Sequence, residues 1–506
     1  MNDTGREDFL RLAAEYRAVP VMRTRFADSE TPMGLYRKLA GQVGSFLLES
    51  ADQAGKWSRY SFIGVNTHGV LTERDGQSVW MDHGLAEEKA FGGPLPHDPL
   101  DALDTLVSRY SGPHLEGAPP FLGGVVGYIG WDAVRVLENL PNPPRADHPV
   151  PWLHMALVSD LVVFDHHTSE VILIAIVHLD GAASQRDYDD AVARLDALHR
   201  RLLEPTSSLL SIRQEPSTHA GEPQMPREDF LAMVEVAKKH IRDGDVFQVV
   251  LSQRLEAPVN AGALEVYRVL RSLNPSPYMY LLECSGVDGV AYQVVGSSPE
   301  ALVTVKNSRA YSHPIAGSRP RGLSPEADIR LADDLRSDSK EQAEHLMLVD
   351  LARNDLSKVC TAGSVEVTEF MEVERFSHIM HLVSSVEGDL RPDASPVDVF
   401  RATFPAGTLS GAPKPRALEI IDALEPSRRG VYGGVVGYFS HTGDMDLAIA
   451  IRTVWMRQGR ATVQAGAGIV ADSVPQSEYE ETLHKSAAPL RAVLQANALV
   501  PDDFIG

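Results

Sequence analysis

Between residues 227 and 243, Phe230, Met233, Val234, Val236, Ala237 and Ile241 recur at helical spacing, which predicts an amphipathic helix. Directly after it, Val246-Phe247-Gln248-Val249-Val250-Leu251 reads as a strand. Earlier runs have the same β-like character: 45–50, 60–65 and 170–177. Strands and helices then mix without regular βαβ alternation. That predicts an α+β fold rather than a doubly wound sheet. Pro205, Pro216, Pro223 and Pro226 stand among Ser, Thr and Gly, a linker composition. The expected organisation is a domain over 1–203, a linker over 204–226 and a second domain over 227–506. At 506 residues the chain is too long for one small core.

One short stretch repeats. Gly123-Gly124-Val125-Val126-Gly127-Tyr128 returns as Gly433-Gly434-Val435-Val436-Gly437-Tyr438. Strand glycines mark bulges or close backbone approach. No longer repeat accompanies it, so two similar buried strands are expected rather than a duplicated domain.

Composition narrows the function. The chain is 43% hydrophobic and 23% charged, an ordinary globular balance. Its net charge of −22 opposes nucleic-acid binding, which needs clustered cations. A small anionic substrate stays open, because a local Arg, Lys or metal can dominate a pocket. Cys284 and Cys360 lack metal-ligand spacing and suit a reducing compartment. With no apolar signal core and no 18-residue apolar run, a cytoplasmic location is expected.

Two pairs of carboxylates carry the first chemical signal. Glu341 and Glu344, and Glu478 and Glu481, are each three apart, so on helices each pair shares a face. Converging carboxylates about 4 Å apart repel by roughly 4 kcal/mol at an effective dielectric near 20. Together they could hold Mg²⁺, which takes one or two carboxylates and leaves other positions to water and an anionic substrate. Spacing alone equally permits two solvated acidic faces. Arg452 lies in Leu447-Ala448-Ile449-Ala450-Ile451-Arg452-Thr453-Val454-Trp455, which reads as an otherwise apolar strand, where an unpaired guanidinium is costly and should meet an anion. A structural ion pair would serve equally well. His381, among Ile379, Met380, Leu382 and Val383, reads on its own as a core histidine.

Several motifs occur in one order: Gly296-Ser297-Ser298-Pro299-Glu300, Pro314-Ile315-Ala316-Gly317-Ser318-Arg319, Glu344-His345-Leu346-Met347-Leu348-Val349-Asp350, His378-Ile379-Met380-His381, Pro405-Ala406-Gly407-Thr408-Leu409-Ser410-Gly411, Ile449-Ala450-Ile451-Arg452-Thr453 and Gly466-Ala467-Gly468-Ile469. This series resembles the chorismate-utilising enzymes, and most of all their anthranilate synthase large-subunit branch, over nearly the whole chain. The resemblance implies two large packed sheets with helices outside. It implies Mg²⁺ on Glu344 and Glu481, with Glu341 and Glu478 acting through water. Glu300 becomes the general acid for the departing hydroxyl, and His381 assists loss of pyruvate. Thr408, in the loop before Leu409, faces the ring, and Gly317 and Ser318 bind substrate. Tyr432, Arg452, Gly466, Ala467 and Gly468 surround the enolpyruvyl carboxylate, with Lys485 at the opposite end of the substrate. Ser318 stands where the family usually has Thr.

Two positions separate the branches. Gln248 stands where water-adding relatives carry a lysine base, and an amide cannot act as one. Ala316 stands where aminodeoxychorismate synthases carry a proposed lysine nucleophile. The resemblance therefore implies ammonia as nucleophile and anthranilate plus pyruvate as products. The chain shows no Gly-x-Cys-x-Gly loop of a glutaminase, so a separate glutamine amidotransferase subunit is implied, in a heterotetramer of two large and two small subunits. The resemblance also places a tryptophan feedback site at Glu49 and Ser50 with Pro277, Tyr278 and Met279. An aminodeoxychorismate synthase subunit and a non-catalytic tryptophan sensor are the competing readings. A pure sensor needs neither the carboxylates nor Glu300, His381 and Arg452.

Overall fold

The computed structural model describes residues 3–51, 59–148, 150–206, 210–215, 221–375 and 379–502. Part of the expected linker, and His378, lie outside them. The fold is α+β, as the mixed pattern predicts. Among the described residues, 21 strands join in one hydrogen-bonded network and two short ones form a separate ribbon.

The network runs through both halves of the chain. Strand Phe46–Glu49 pairs antiparallel with strand Tyr278–Ser285 of the second half, setting Glu49 opposite Met279. Strand Gly124–Ile129 likewise pairs with Val435–Ser440, and these are the two copies of the glycine repeat. Gly127 lies opposite Gly437, Val126 opposite Tyr438 and Tyr128 opposite Val436, so a local two-fold axis passes through the glycine pair. A Cβ on Gly127 would fall 1.8 Å from the His154 carbonyl oxygen, and one on Gly437 1.9 Å from that of Asp446. The glycines are there because neighbouring backbones occupy the space a side chain would need.

Side chains alternate between two cores. Along Tyr278–Ser285, Tyr280, Leu282 and Cys284 enter one core, while Met279 and Leu281 enter the other. Along Glu170–His178, Ile172, Ile174 and Ile176 enter the first, and Leu173, Ala175 and Val177 the second. The period of two is what a sheet buried on both faces requires. Helices Ala263–Leu273 and Gln185–Leu203 cover the second core with Val266, Leu270, Leu195 and Leu198.

The helix expected after the linker spans Arg227–Arg242 and buries Phe230, Met233, Val234 and Ala237. Val236 is exposed, because it falls off that stripe. The strand expected over 246–251 starts at Gln248 and continues to Pro258.

Replacing Gly127 by Ala should lower unfolding stability by about 3 kcal/mol, the upper part of the usual overpacking range. Gly76→Ala, in a turn with φ 78° and open space around it, should cost only about 1 kcal/mol. Urea unfolding of both variants checks the contrast.

Candidate active site

Glu300 sits between strands Ala291–Ser298 and Ala301–Lys306. Its backbone is fixed on both sides: its carbonyl accepts from Ile449 N at 2.9 Å, and its N–H donates to Ser298 Oγ at 3.3 Å. Burial pushes the Glu300 carboxyl up to about 7, against the Thr408 hydrogen bond and the Lys485 charge, which both pull it down. Thr408 Oγ1 donates to Glu300 Oε1 at 3.0 Å. Thr408, expected in a loop, lies in the single helical turn Gly407–Ser410. Glu300 and Thr408 line a small cavity of ≈ 60 Å³ with Leu348, Leu351 and Ile449.

Both carboxylate pairs fall in the first two turns of helices. Glu341 and Glu344 lie on Ser339–Ser357, and Glu478 and Glu481 on Pro475–Asn497. Asp338 caps the first helix by accepting from the N–H groups of Lys340 and Glu341. The two helices bring their acids together. Burial first, then the Glu341 and Glu481 charges, raise the Glu344 carboxyl above its ordinary value. Burial and Glu481 do the same to Glu478, against a hydrogen bond from Ser473. Among the described residues no three acidic, His or Cys side chains stand close enough to form a ready metal cluster. Lys485 Nζ instead lies 2.6 Å from Glu481 Oε1, and Arg319 Nη1 lies 3.5 Å from Glu341 Oε1. Converging oxygen donors partly neutralised by a lysine are chemically suited to a hard cation.

Gly317 and Ser318 lie on strand Ile315–Pro320, with Ser318 opposite His381. The register shifts at Gly317, whose φ is 67°. Its carbonyl lies 2.8 Å from His381 Nδ1. A carbonyl can only accept, so the Nδ1 carries the proton. Burial lowers the His381 imidazole below its ordinary value and keeps it neutral. A Cβ at Gly317 would come within 2.9 Å of Glu341 Oε2, which places this bulge against the carboxylates.

The glycine strand Arg460–Ile469 pairs with Gln248–Pro258, setting Gly466 opposite Ser252, Ala467 opposite Leu251 and Gly468 opposite Val250. A Cβ at Gly466 would meet the Tyr432 hydroxyl at 2.7 Å, and one at Gly468 would meet Gln248 Nε2 at 2.5 Å. Arg452 corrects an expectation. It is not inside a strand but in the break between Met445–Ile449 and Thr453–Arg457, with φ 51°. Its Nη1 donates to the Lys485 carbonyl at 2.7 Å, and burial lowers the guanidinium. Among the described residues it forms no salt bridge. Lys485 Nζ donates to the Gly466 carbonyl at 3.1 Å, which sets it beside the glycine strand.

The second expected site is assembled by strand pairing. Glu49 faces Met279 across the ladder, and Ala51 N donates to Ser276 O at 3.1 Å. The Glu49 carboxylate is already held by the Tyr267 hydroxyl at 2.5 Å and by Arg271 Nε at 3.3 Å. Ser50 Oγ is buried without a hydrogen-bond partner among the described residues. Tyr278 opposes Ser298, two residues from Glu300. Burial and Asp446 hold the Tyr278 phenol well above its ordinary value. Pro277 is half-buried beside them.

Sequence reasoning missed Arg429, which is buried behind Tyr432. In Ser427-Arg428-Arg429-Gly430 it looks like part of a charged turn. Nothing in the pattern separates it from Arg428.

The raised Glu300 carboxyl gives a signed pH prediction. The folded state holds this proton up to about 7, whereas the unfolded value is 4.5. Stability is therefore lost as pH rises between those values. Glu300→Gln should raise the melting temperature at pH 8 and leave it unchanged at pH 4. Thr408→Val removes a hydrogen bond worth about 1.5 kcal/mol to the ionised form, so the Glu300 pKa should rise by about one unit. The pH dependence of kcat/KM at constant free ammonia measures it.

The family model for chorismate binding enzymes matches residues 46–491. A protein of Arthrobacter globiformis named anthranilate synthase component 1 is 52% identical over 502 residues, covering 98% of this chain and 94% of its own. One of the same name from Pseudomonas aeruginosa is 45% identical, covering 98% and 99%. The crystal structure of anthranilate synthase component I from Streptococcus pneumoniae superposes with a TM-score of 0.74 at 38% identity, over 92% of this chain and 99% of that one. The menaquinone-specific isochorismate synthase of Escherichia coli shares the fold at 20% identity, with a TM-score of 0.66 over 96% and 98%. This chain belongs to the chorismate-binding enzymes, in their anthranilate synthase component 1 group.

Proposed function

We propose that the chain converts chorismate and ammonia to anthranilate and pyruvate, as component 1 of an anthranilate synthase. The observation that carries this reading is Glu300, a carboxyl that burial keeps protonated to about pH 7, with Thr408 aimed at it. Departure of the C4 hydroxyl needs a proton on the leaving oxygen, and Glu300 supplies it. Ammonia adds at C2. Gln248 and Ala316 leave no lysine to activate water or attack the ring. His381, neutral with its proton on Nδ1, assists the loss of pyruvate. Arg452, Tyr432 and the Gly466–Gly468 backbone bind the enolpyruvyl carboxylate. Arg452 is suited to this because its Nη1 is held by a carbonyl, and among the described residues no carboxylate pairs with it.

Glu344 and Glu481 would hold Mg²⁺, with Glu341 and Glu478 contributing through water. When bound, the ion would neutralise and orient the substrate's ring carboxylate. The charges of Glu341 and Glu481 felt at Glu344, and of Glu481 at Glu478, support this assignment. A glutamine amidotransferase partner, component 2, supplies ammonia, in a heterotetramer of two large and two small subunits. No described helix is long and apolar enough to cross a membrane, and we place the protein in the cytoplasm. Residues 1–203 form the regulatory part, 204–226 the linker and 227–506 the catalytic part. Tryptophan binds at Glu49, Ser50 and Pro277 to Met279. The Ser50 hydroxyl, buried without a partner among the described residues, supports that site, since a ligand acceptor would relieve its burial cost.

The purified chain with chorismate, Mg²⁺ and ammonium should make fluorescent anthranilate, and with glutamine alone it should make none. Glu344→Gln and Glu481→Gln should each abolish turnover with the fold retained by circular dichroism. Full activity of either at low Mg²⁺ would remove it from the metal site.

Ser50→Ala should weaken tryptophan inhibition by about 10- to 150-fold, the equivalent of one hydrogen bond to a charged group, and leave uninhibited turnover unchanged. Inhibition curves and calorimetric titration of both proteins check it, and equal sensitivity would exclude Ser50.

A further inference from the structure

Arg429 and Glu425 form a salt bridge of 2.7 Å with side chains only 1% and 2% exposed. The guanidinium spends its donors on three different elements. Nε reaches Glu425 Oε2 at 2.8 Å, and Nη2 reaches Glu425 Oε1 at 2.7 Å. Nη1 donates to the Leu409 carbonyl at 2.7 Å, inside the turn that carries Thr408. Nη2 also donates to the Val250 carbonyl at 2.8 Å, directly opposite Gly468. Its Cζ lies over the Trp131 ring, 4.2 Å from the centroid, and 5.7 Å from that of Tyr432. Glu425 in turn accepts from Ser252 N at 2.8 Å and Ser252 Oγ at 2.7 Å, and Ser252 lies opposite Gly466.

We propose that the Arg429–Glu425 pair positions the active site, setting the Thr408 turn, the glycine strand and Tyr432 in one register from behind. This rests on the reading of Glu300 as the acid and Thr408 as its partner. Neither Arg429 nor Glu425 touches the reacting atoms in this account. A buried ion pair is weak as a source of stability, since desolvation offsets the attraction. Its use here is geometric. The planar fork satisfies two carbonyls and a carboxylate at once, which a lysine ammonium on its flexible stem cannot do.

The test uses the full chain with Arg429→Lys, which keeps the charge beside Glu425 and loses the fork. Loosening the Thr408 turn should cut kcat on the order of 100-fold, as a misplacement of about 1 Å does. It should also move the alkaline limb of kcat/KM upward by about one unit, as Thr408→Val does, because the Glu300 carboxylate loses the same hydrogen bond. In Arg429→Lys/Thr408→Val the two limb shifts should not add. Additive shifts, or an unmoved limb in Arg429→Lys with kcat near wild type, would overturn the proposal. If Arg429→Lys fails to fold, Glu425→Gln, whose amide NH2 cannot accept from Arg429 and so removes one tine of the fork, gives the same readout. Absence of anthranilate from the wild-type chain would instead overturn the functional reading on which this rests.

Discussion

The strands that carry the candidate site belong to one hydrogen-bonded network that runs through both halves of the chain. Gly127 against Gly437 and Glu49 against Met279 join strands far apart in sequence into one network. Such ladders carry register, and a one-residue slip would turn every side chain to the other face. Glu300, Ser318, Gly466 and Tyr278 all lie on or beside this network, so their relative positions follow from it. The same pairing sets the expected inhibitor residues one strand from Glu300, through Tyr278 opposite Ser298.

On that scaffold, electrostatics divides the carboxylates into two kinds. Glu300 is alone, buried, and pushed toward its neutral form. Glu344 and Glu478 are raised partly by the acids around them, and Lys485 offsets part of that charge. The same side chain is thus given different protonation tendencies by changing what surrounds it. Lys485 touches both arrangements: it pairs with Glu481, contacts the Gly466 carbonyl and lowers Glu300.

Much of this is legible in the sequence. Same-face carboxylates follow from a spacing of three, and the ordered motifs locate Glu300, His381 and the glycine strand. Local patterns do not reveal positions fixed by distant backbone. Arg452 sits in a strand break because its neighbours belong to two different strands, although the run around it is uniformly apolar. The pairing of Lys485 with Glu481 follows from a spacing of four on a helix, whereas its contact with the Gly466 carbonyl depends on how that helix packs on the glycine strand. Arg429 is invisible there because its partners, Leu409 and Val250, are backbone carbonyls remote in sequence.

The central claim is that Glu300 is held as a carboxylic acid near neutral pH. Difference infrared spectroscopy of the wild type against Glu300→Gln, recorded across a pH titration, reads that carboxyl directly. A protonated carboxyl band that persists until about pH 7 is the expected result. A band that vanishes near the ordinary glutamate value of 4.5 would contradict the account.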